Sequence, residues 1–200
     1  MNNYDLEKVK YIFPRLFVIA IQNSVNLNAF THSLANSEFI KKIEANQYDD
    51  YFNKSILEIY DAISCDYIKE DDSYGVYNDA YWSGLTYFNL YLKTKKPFSY
   101  LFLKLPFEKM LNMYPVYHEM DFSSLYEVFV QLEKEKTILR LLCEQHHSSL
   151  SRMNKATSIS INTLSKYNAS DKALYKASFQ NIIKIANFFH APVSLFVEKL

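Results

Sequence analysis

The chain has 200 residues, 49% of them hydrophobic, and this excludes global disorder while leaving room for one large domain or for a larger and a smaller one. Its 2 glycines, Gly75 and Gly84, exclude glycine-rich phosphate loops and dinucleotide fingerprints and disfavour a fold of tight hairpins, so a mainly α-helical protein is expected. The net charge of +0 conceals two halves: residues 1–130 hold 12 basic and 17 acidic side chains, residues 131–200 hold 10 and 5. We therefore expect an acidic, aromatic-rich domain over 1–130 and a basic one over 131–200 that faces a polyanion.

The most apolar run, residues 11–21 (YIFPRLFVIAI), is interrupted by Pro14 and Arg15 and is about half the length a membrane helix needs. It lacks the pattern of a secretory signal, and no membrane partner is expected. Residues 17–22 can form a weak strand. A short helix is expected over 37–46 with Ser37 as its cap, and an amphipathic one over 48–63, where Phe52, Ile56, Ile59 and Ile63 recur at helical spacing. The run EDDSYG breaks this pattern, and a third helix begins near Asn78 or Asp79. Pro97 and Pro106 suit helix starts, where a missing amide proton costs little, although 98–105 reads equally well as a strand. The N-terminal domain is thus helical, with α+β as the alternative.

Aromatic residues crowd this domain: Tyr74, Tyr77, Tyr81, Trp82, Tyr87, Phe88, Tyr91, Phe98, Tyr100, Phe102, Phe107, Tyr114 and Tyr117. They read as a protein-binding face, a base-stacking platform or an aromatic core, and helical spacing favours the core. Asp71, Asp72, Asp79, His118, Glu119, Asp121 and Cys65 could act as acids, bases or a nucleophile, but no spacing joins them, so no enzymatic role is expected. Cys65 and Cys143 are the only cysteines, without disulfide or CxxC spacing, which fits a reducing cytoplasm. Cys143, His146 and His147 would share a helix face as a partial metal set; such residues more often serve a helix end, and no metal or cofactor is expected.

In the C-terminal domain Thr137 caps a helix to about Gln145 that buries Ile138, Leu141 and Leu142. A second helix over 149–157 buries Leu150 and Met153, with Ala156 allowing close approach. Ser158-Ile159-Ser160 forms a turn with Ile159 inward, and Ser160 caps a third helix whose Leu164 faces the core. After a polar loop, Ser178 caps a fourth helix carrying Phe179, Ile182, Ile183, Ala186 and Phe189. A fifth spans 193–200.

This five-helix order, the turn SIS before INTLSKY, and the ending SFQNIIKIANFFHAPVSLFV resemble the helix-turn-helix of the Cro and lambda-repressor type, the Xre family. The markers are Ile159-Ser160, Thr163-Leu164 and the run Ile182-Ile183-Lys184-Ile185-Ala186, covering the last third of the chain. The resemblance implies double-stranded DNA as a partner, with Ile161, Asn162, Thr163 and Lys166 at base edges and Ser149, Arg152, Lys155, Tyr167 and Lys172 at the phosphate backbone. The chain departs from the family pattern in having Asn154 where a small residue is usual, Ser158 where glycine is usual, and Leu150 where a phosphate-binding Gln often stands. Asn154 then needs a hydrogen bond or solvent, and Ser158 a positive φ at some cost.

The expectation is a cytoplasmic, sequence-specific transcriptional regulator, a bacterial or mobile-element repressor acting as a homodimer, since one small module contacts few base pairs. The alternative is an antitoxin-like protein whose N-terminal domain neutralises an effector while the helix-turn-helix domain autoregulates.

Overall fold

A computed structural model describes residues 3–47, 50–63 and 77–197. Among these residues the protein is mainly helical, with thirteen α-helices, two 3-10 turns and no strand. The acidic loop EDDSYG, Cys65, Asp71, Asp72 and Tyr74 lie outside them. The chain divides into two compact units, Met1–Tyr126 and Glu127–Leu200, and the division falls inside a helix, α8 (Phe122–Glu135).

The first unit begins with α1 (Asn3–Gln22), which contains Pro14. Proline removes one amide donor from a helix and crowds the preceding turn. Next to that defect, the Arg15 guanidinium donates to the Tyr11 carbonyl at 2.7 Å and lies 3.6 Å from the centre of the Tyr11 ring. The strand expected over 17–22 is therefore helix, continuous with the buried Phe13, Leu16 and Phe17. Short helices α2 (Leu27–Asn36) and α3 (Glu38–Ala45) follow. Asn26 caps α2 by accepting from the Ala29 amide, and Ser37 caps α3, as expected, by accepting from that of Ile40.

The single helix expected over 48–63 is instead a 3-10 turn, Asp50–Asn53, and α4 (Ile56–Ala62). Ser55 explains the break, because its side chain accepts from the Glu58 amide while the Glu58 carboxylate accepts from the Ser55 amide. This reciprocal capping starts a new helix where a continuous one was read.

The long α5 (Tyr77–Thr94) packs along α1 and also meets α6 (Phe98–Lys104) and α7 (Phe107–Tyr117). The possible strand over 98–105 is thus a helix. Pro97 offers no side-chain cap, and the Phe98 amide donates instead to the Glu44 carboxylate of α3 at 2.7 Å.

Most of the described aromatic residues of this unit are buried and form its core. Phe13 lies 4.7 Å from Phe98 and 5.3 Å from Phe17 between ring centres, and Phe17 meets Phe107 edge to face at 4.9 Å. Such tilted and edge-on pairs add to the large apolar area each ring buries. Tyr87, Phe88, Tyr91, Tyr100 and Phe102 are buried as well. The Tyr87 hydroxyl donates to the Leu105 carbonyl at 2.5 Å, and burial pushes its pKa well above the ordinary phenol range. These rings are packed inside, so base stacking on them is ruled out.

Of the described candidate acids and bases, His118 Nε2 lies 3.5 Å from Glu119 Oε1. Asp79 accepts from the Ala80 amide within the first turn of α5, whereas the His118 ring stacks on Tyr114 at 4.4 Å and meets the Tyr114 carbonyl at 2.8 Å.

Candidate nucleic-acid interface

The second unit carries α9 (Ile138–Gln145), α10 (Leu150–Thr157), α11 (Ile161–Ala169), α12 (Asp171–Tyr175) and α13 (Phe179–Phe189), then a 3-10 turn, Val193–Phe196. The expected polar loop between the third and fourth helices thus contains the short α12. The expected fifth helix is a 3-10 turn after Pro192 over the described residues, with 198–200 outside them.

Local capping builds the framework. Thr137, Ser149, Ser160 and Ser178 each accept from the amide three residues on, at Arg140, Arg152, Thr163 and Asn181. Each cap satisfies one of the orphan donors that a helix start leaves open. Two long-range bonds then tie the start of α9 to the end of α11 and the start of α12. Thr137 Oγ1 donates to the Asn168 carbonyl at 2.8 Å, and the Ile138 amide donates to Asp171 Oδ1 at 2.7 Å.

The core beneath α10 and α11 holds Leu139, Leu142, Met153, Ile159, Leu164, Leu174, Ile182, Ile185, Ala186 and Phe189. Ile159 is 3% exposed, so the turn places it inward as expected. Leu141, Leu150 and Ile183 are only half-buried, with Leu139 and Ile185 taking the deeper places. Ala156 is exposed, and Thr157 is the residue buried at the end of α10. Its Oγ1 donates to the Met153 carbonyl at 2.7 Å and accepts from the Ile159 amide at 3.3 Å.

The two departures at the turn are accommodated in different ways. Ser158 adopts the left-handed conformation, φ 58 and ψ 19, in which a glycine would be unstrained. Asn154 finds its partner inside the motif, donating through Nδ2 to the Ile159 carbonyl at 2.8 Å. It thereby clamps the end of α10 to the turn.

On the outer surface α11 exposes Ile161, Asn162, Ser165 and Lys166, and α10 exposes Arg152 and Lys155. Spacings of three and four residues put these α11 positions on neighbouring turns of one face. Ile161 is 42% exposed, large for an aliphatic residue at the start of a helix. Asn162 can give the paired donor and acceptor that match adenine, and Lys166 a point charge for guanine or phosphate. Thr163 is half-buried, with its Oγ1 2.9 Å from Ser160 Oγ, so it belongs to the cap at least as much as to the surface. Ser149 is exposed but already serves as the α10 cap, and Lys172 is exposed on α12.

Tyr167 corrects the reading of the phosphate contacts. It is buried, and its hydroxyl accepts from Asn181 Nδ2 at 3.2 Å. Its place is therefore in the packing between α11 and α13. Asn181 and Asp171, both missed in the sequence, position this surface from behind, and both act on partners distant in the chain.

The Cys143, His146 and His147 set does not share a helix face. α9 ends at Gln145, His146 is the residue that terminates it, and His147 turns to φ 45. The His146 ring lies 5.3 Å from that of Phe189, and burial, then Glu144, pushes the Cys143 thiol up. Nearby, Glu144 joins Lys136 at 2.7 Å and Arg140 at 3.4 Å, and the Lys136 hydrogen bond, ahead of Arg140, draws its carboxyl down. Among the described residues no group of three His, Cys, Asp or Glu side chains gathers as a metal site, and none of the helices is long and apolar enough to cross a membrane. No protein-family profile, curated protein or solved structure matches the chain.

Proposed function

We propose that the chain is a sequence-specific DNA-binding regulator of the Cro and lambda-repressor type, in which α11 enters the major groove. The observation that carries the reading is the turn at Ser158–Ser160: a left-handed Ser158 and an inward Ile159 join two capped helices. The second of them turns Ile161, Asn162 and Lys166 to solvent. This is the arrangement by which a short helix presents its first turns to base edges. Asn162 reads adenine, Ile161 meets a thymine methyl, and Lys166 reads guanine or neutralises phosphate. Arg152, Lys155 and Lys172, with Ser149 at the α10 start, contact the backbone and set orientation.

The chain has 3 arginines against 19 lysines, so charge neutralisation contributes more than bidentate base reading. A homodimer bound to half-sites about one helical turn apart supplies the specificity that one module lacks. The N-terminal unit dimerises or holds a partner protein, and its exposed Val116 (55%) and Met120 (50%) favour a protein contact there. The antitoxin-like reading rests on the same two residues.

The test is retention of DNA from upstream of the chain's own gene by the purified protein at low salt. Asn162→Ala and Lys166→Ala together are expected to abolish the preference for that fragment. Unchanged retention in the double variant, or none in the parent, overturns the proposal.

A further inference from the structure

The first unit contains an open cavity of about 550 Å³ between the first half of α1 and the segment from the 3-10 turn into α4. That volume lies in the range of about 300–1,000 Å³ typical of small-ligand sites. Its walls are almost wholly apolar, supplied by the buried Ile12 and Phe52, the half-buried Ile56 and the exposed ring of Tyr11. The charged residues around it are each engaged with the protein itself. Lys8 donates to Asn53 Oδ1 at 2.6 Å, and Glu7 pairs with Lys10 at 3.1 Å. The Lys54 ammonium lies 4.4 Å from the centre of the Tyr51 ring and acts on the Glu58 carboxylate. Ser55 is committed to the α4 cap through both its hydroxyl and its amide.

These pairings decide what the cavity can hold. A ligand of either charge would leave water for walls that offer no counter-charge, and a sugar or a peptide segment would bring hydroxyl or amide groups that find no partner there. An uncharged apolar body meets neither cost, and it removes the apolar side chains from water. Size narrows the class. A dry cavity of about 150 Å³ holds benzene, so this one has room for two fused rings. The rings of Tyr11 and Phe52 add tilted or edge-on contacts that an aromatic ligand can use and an aliphatic one cannot. We infer that this cavity is a binding site for an uncharged bicyclic aromatic molecule, held by Ile12, Phe52, Ile56 and Tyr11. The site lies wholly within the first unit, so it stands or falls independently of DNA binding.

Calorimetric titration of the full chain, without DNA, with 1-naphthalenemethanol, 1-naphthoate and 1-naphthylmethylammonium tests it, since the three share one ring system and differ in charge. The neutral alcohol is expected to bind one to one, and the anion and the cation each about tenfold more weakly. Ile56→Trp, which fills the cavity from a half-buried position, should remove binding of the alcohol, with helicity by circular dichroism confirming the fold. Tyr11→Ala, at an exposed position, should weaken it by about three- to tenfold. Naphthoate or the ammonium compound binding as tightly as the alcohol, alcohol binding that both variants leave unaffected, or no alcohol binding at millimolar concentration each overturns the assignment. A dimer in sedimentation that Ile56→Trp dissociates, without any binding of the alcohol, also overturns it, by seating a second copy of the chain on these side chains.

Discussion

The backbone of Pro14 occupies the space that a side chain at Gly84 would need: a Cβ placed on Gly84 falls 2.6 Å from Pro14 Cα and 2.8 Å from Phe17 Cδ2. Gly84 is thus a point of close approach between α1 and α5, and the nearer obstacle is backbone, which cannot rotate away. In an open helix interior, glycine to alanine gains about 0.5–1 kcal/mol of stability. Here the sign reverses: Gly84→Ala is expected to cost about 1–3 kcal/mol through overpacking. A lower urea midpoint with an unchanged slope would show it; a higher midpoint would mean that the two helices are farther apart.

The turn of the second unit gives a paired expectation. Ser158→Gly relieves a left-handed serine and should stabilise the protein by about 1 kcal/mol. Asn154→Ala should destabilise it by about 1 kcal/mol although alanine is the better helix former, because the Ile159 carbonyl loses its partner. Thermal melts of the two single variants check both signs.

The reciprocal cap at Ser55 makes stability depend on pH in a defined direction. Hydrogen bonds from the Ser55 backbone, then from its side chain, draw the Glu58 carboxyl below its ordinary value of 4.5. A group whose folded-state pKa is depressed stabilises the fold above its unfolded value, and that stabilisation is lost as pH falls through the folded one. Wild type should therefore exceed Glu58→Gln in urea midpoint at pH 7, and the gap should close as pH falls below the ordinary carboxylate range. A gap that persists in acid would show that the carboxylate charge is not its source.

The sequence disclosed what is local and concealed what is remote. Ser37, Thr137, Ser160 and Ser178 were legible as caps because each bonds an amide three residues away, and Ser158 was legible as a strained turn because it stands where glycine is favoured. Helix α6 read equally well as a strand because its first donor is satisfied by Glu44, 54 residues distant. Tyr167 was taken for a surface residue because the partner of its hydroxyl, Asn181, sits on another helix. The aromatic residues over 77–117 showed their helical spacing, but only packing around Phe13 and Phe17 decides that most of them face inward.

DNA binding through the exposed face of α11 is tested most directly by titrating the affinity of the full chain for its upstream DNA against salt. Each phosphate neutralised by a lysine or arginine adds about 0.9 to the slope of log affinity against log salt. A slope of several units is expected, falling by about 1 in Lys166→Ala, while Asn162→Ala narrows the difference between the cognate and an unrelated fragment and leaves the slope unchanged. No binding at low salt, or a slope and a preference that both variants leave untouched, would contradict the assignment of α11 as the helix that reads DNA.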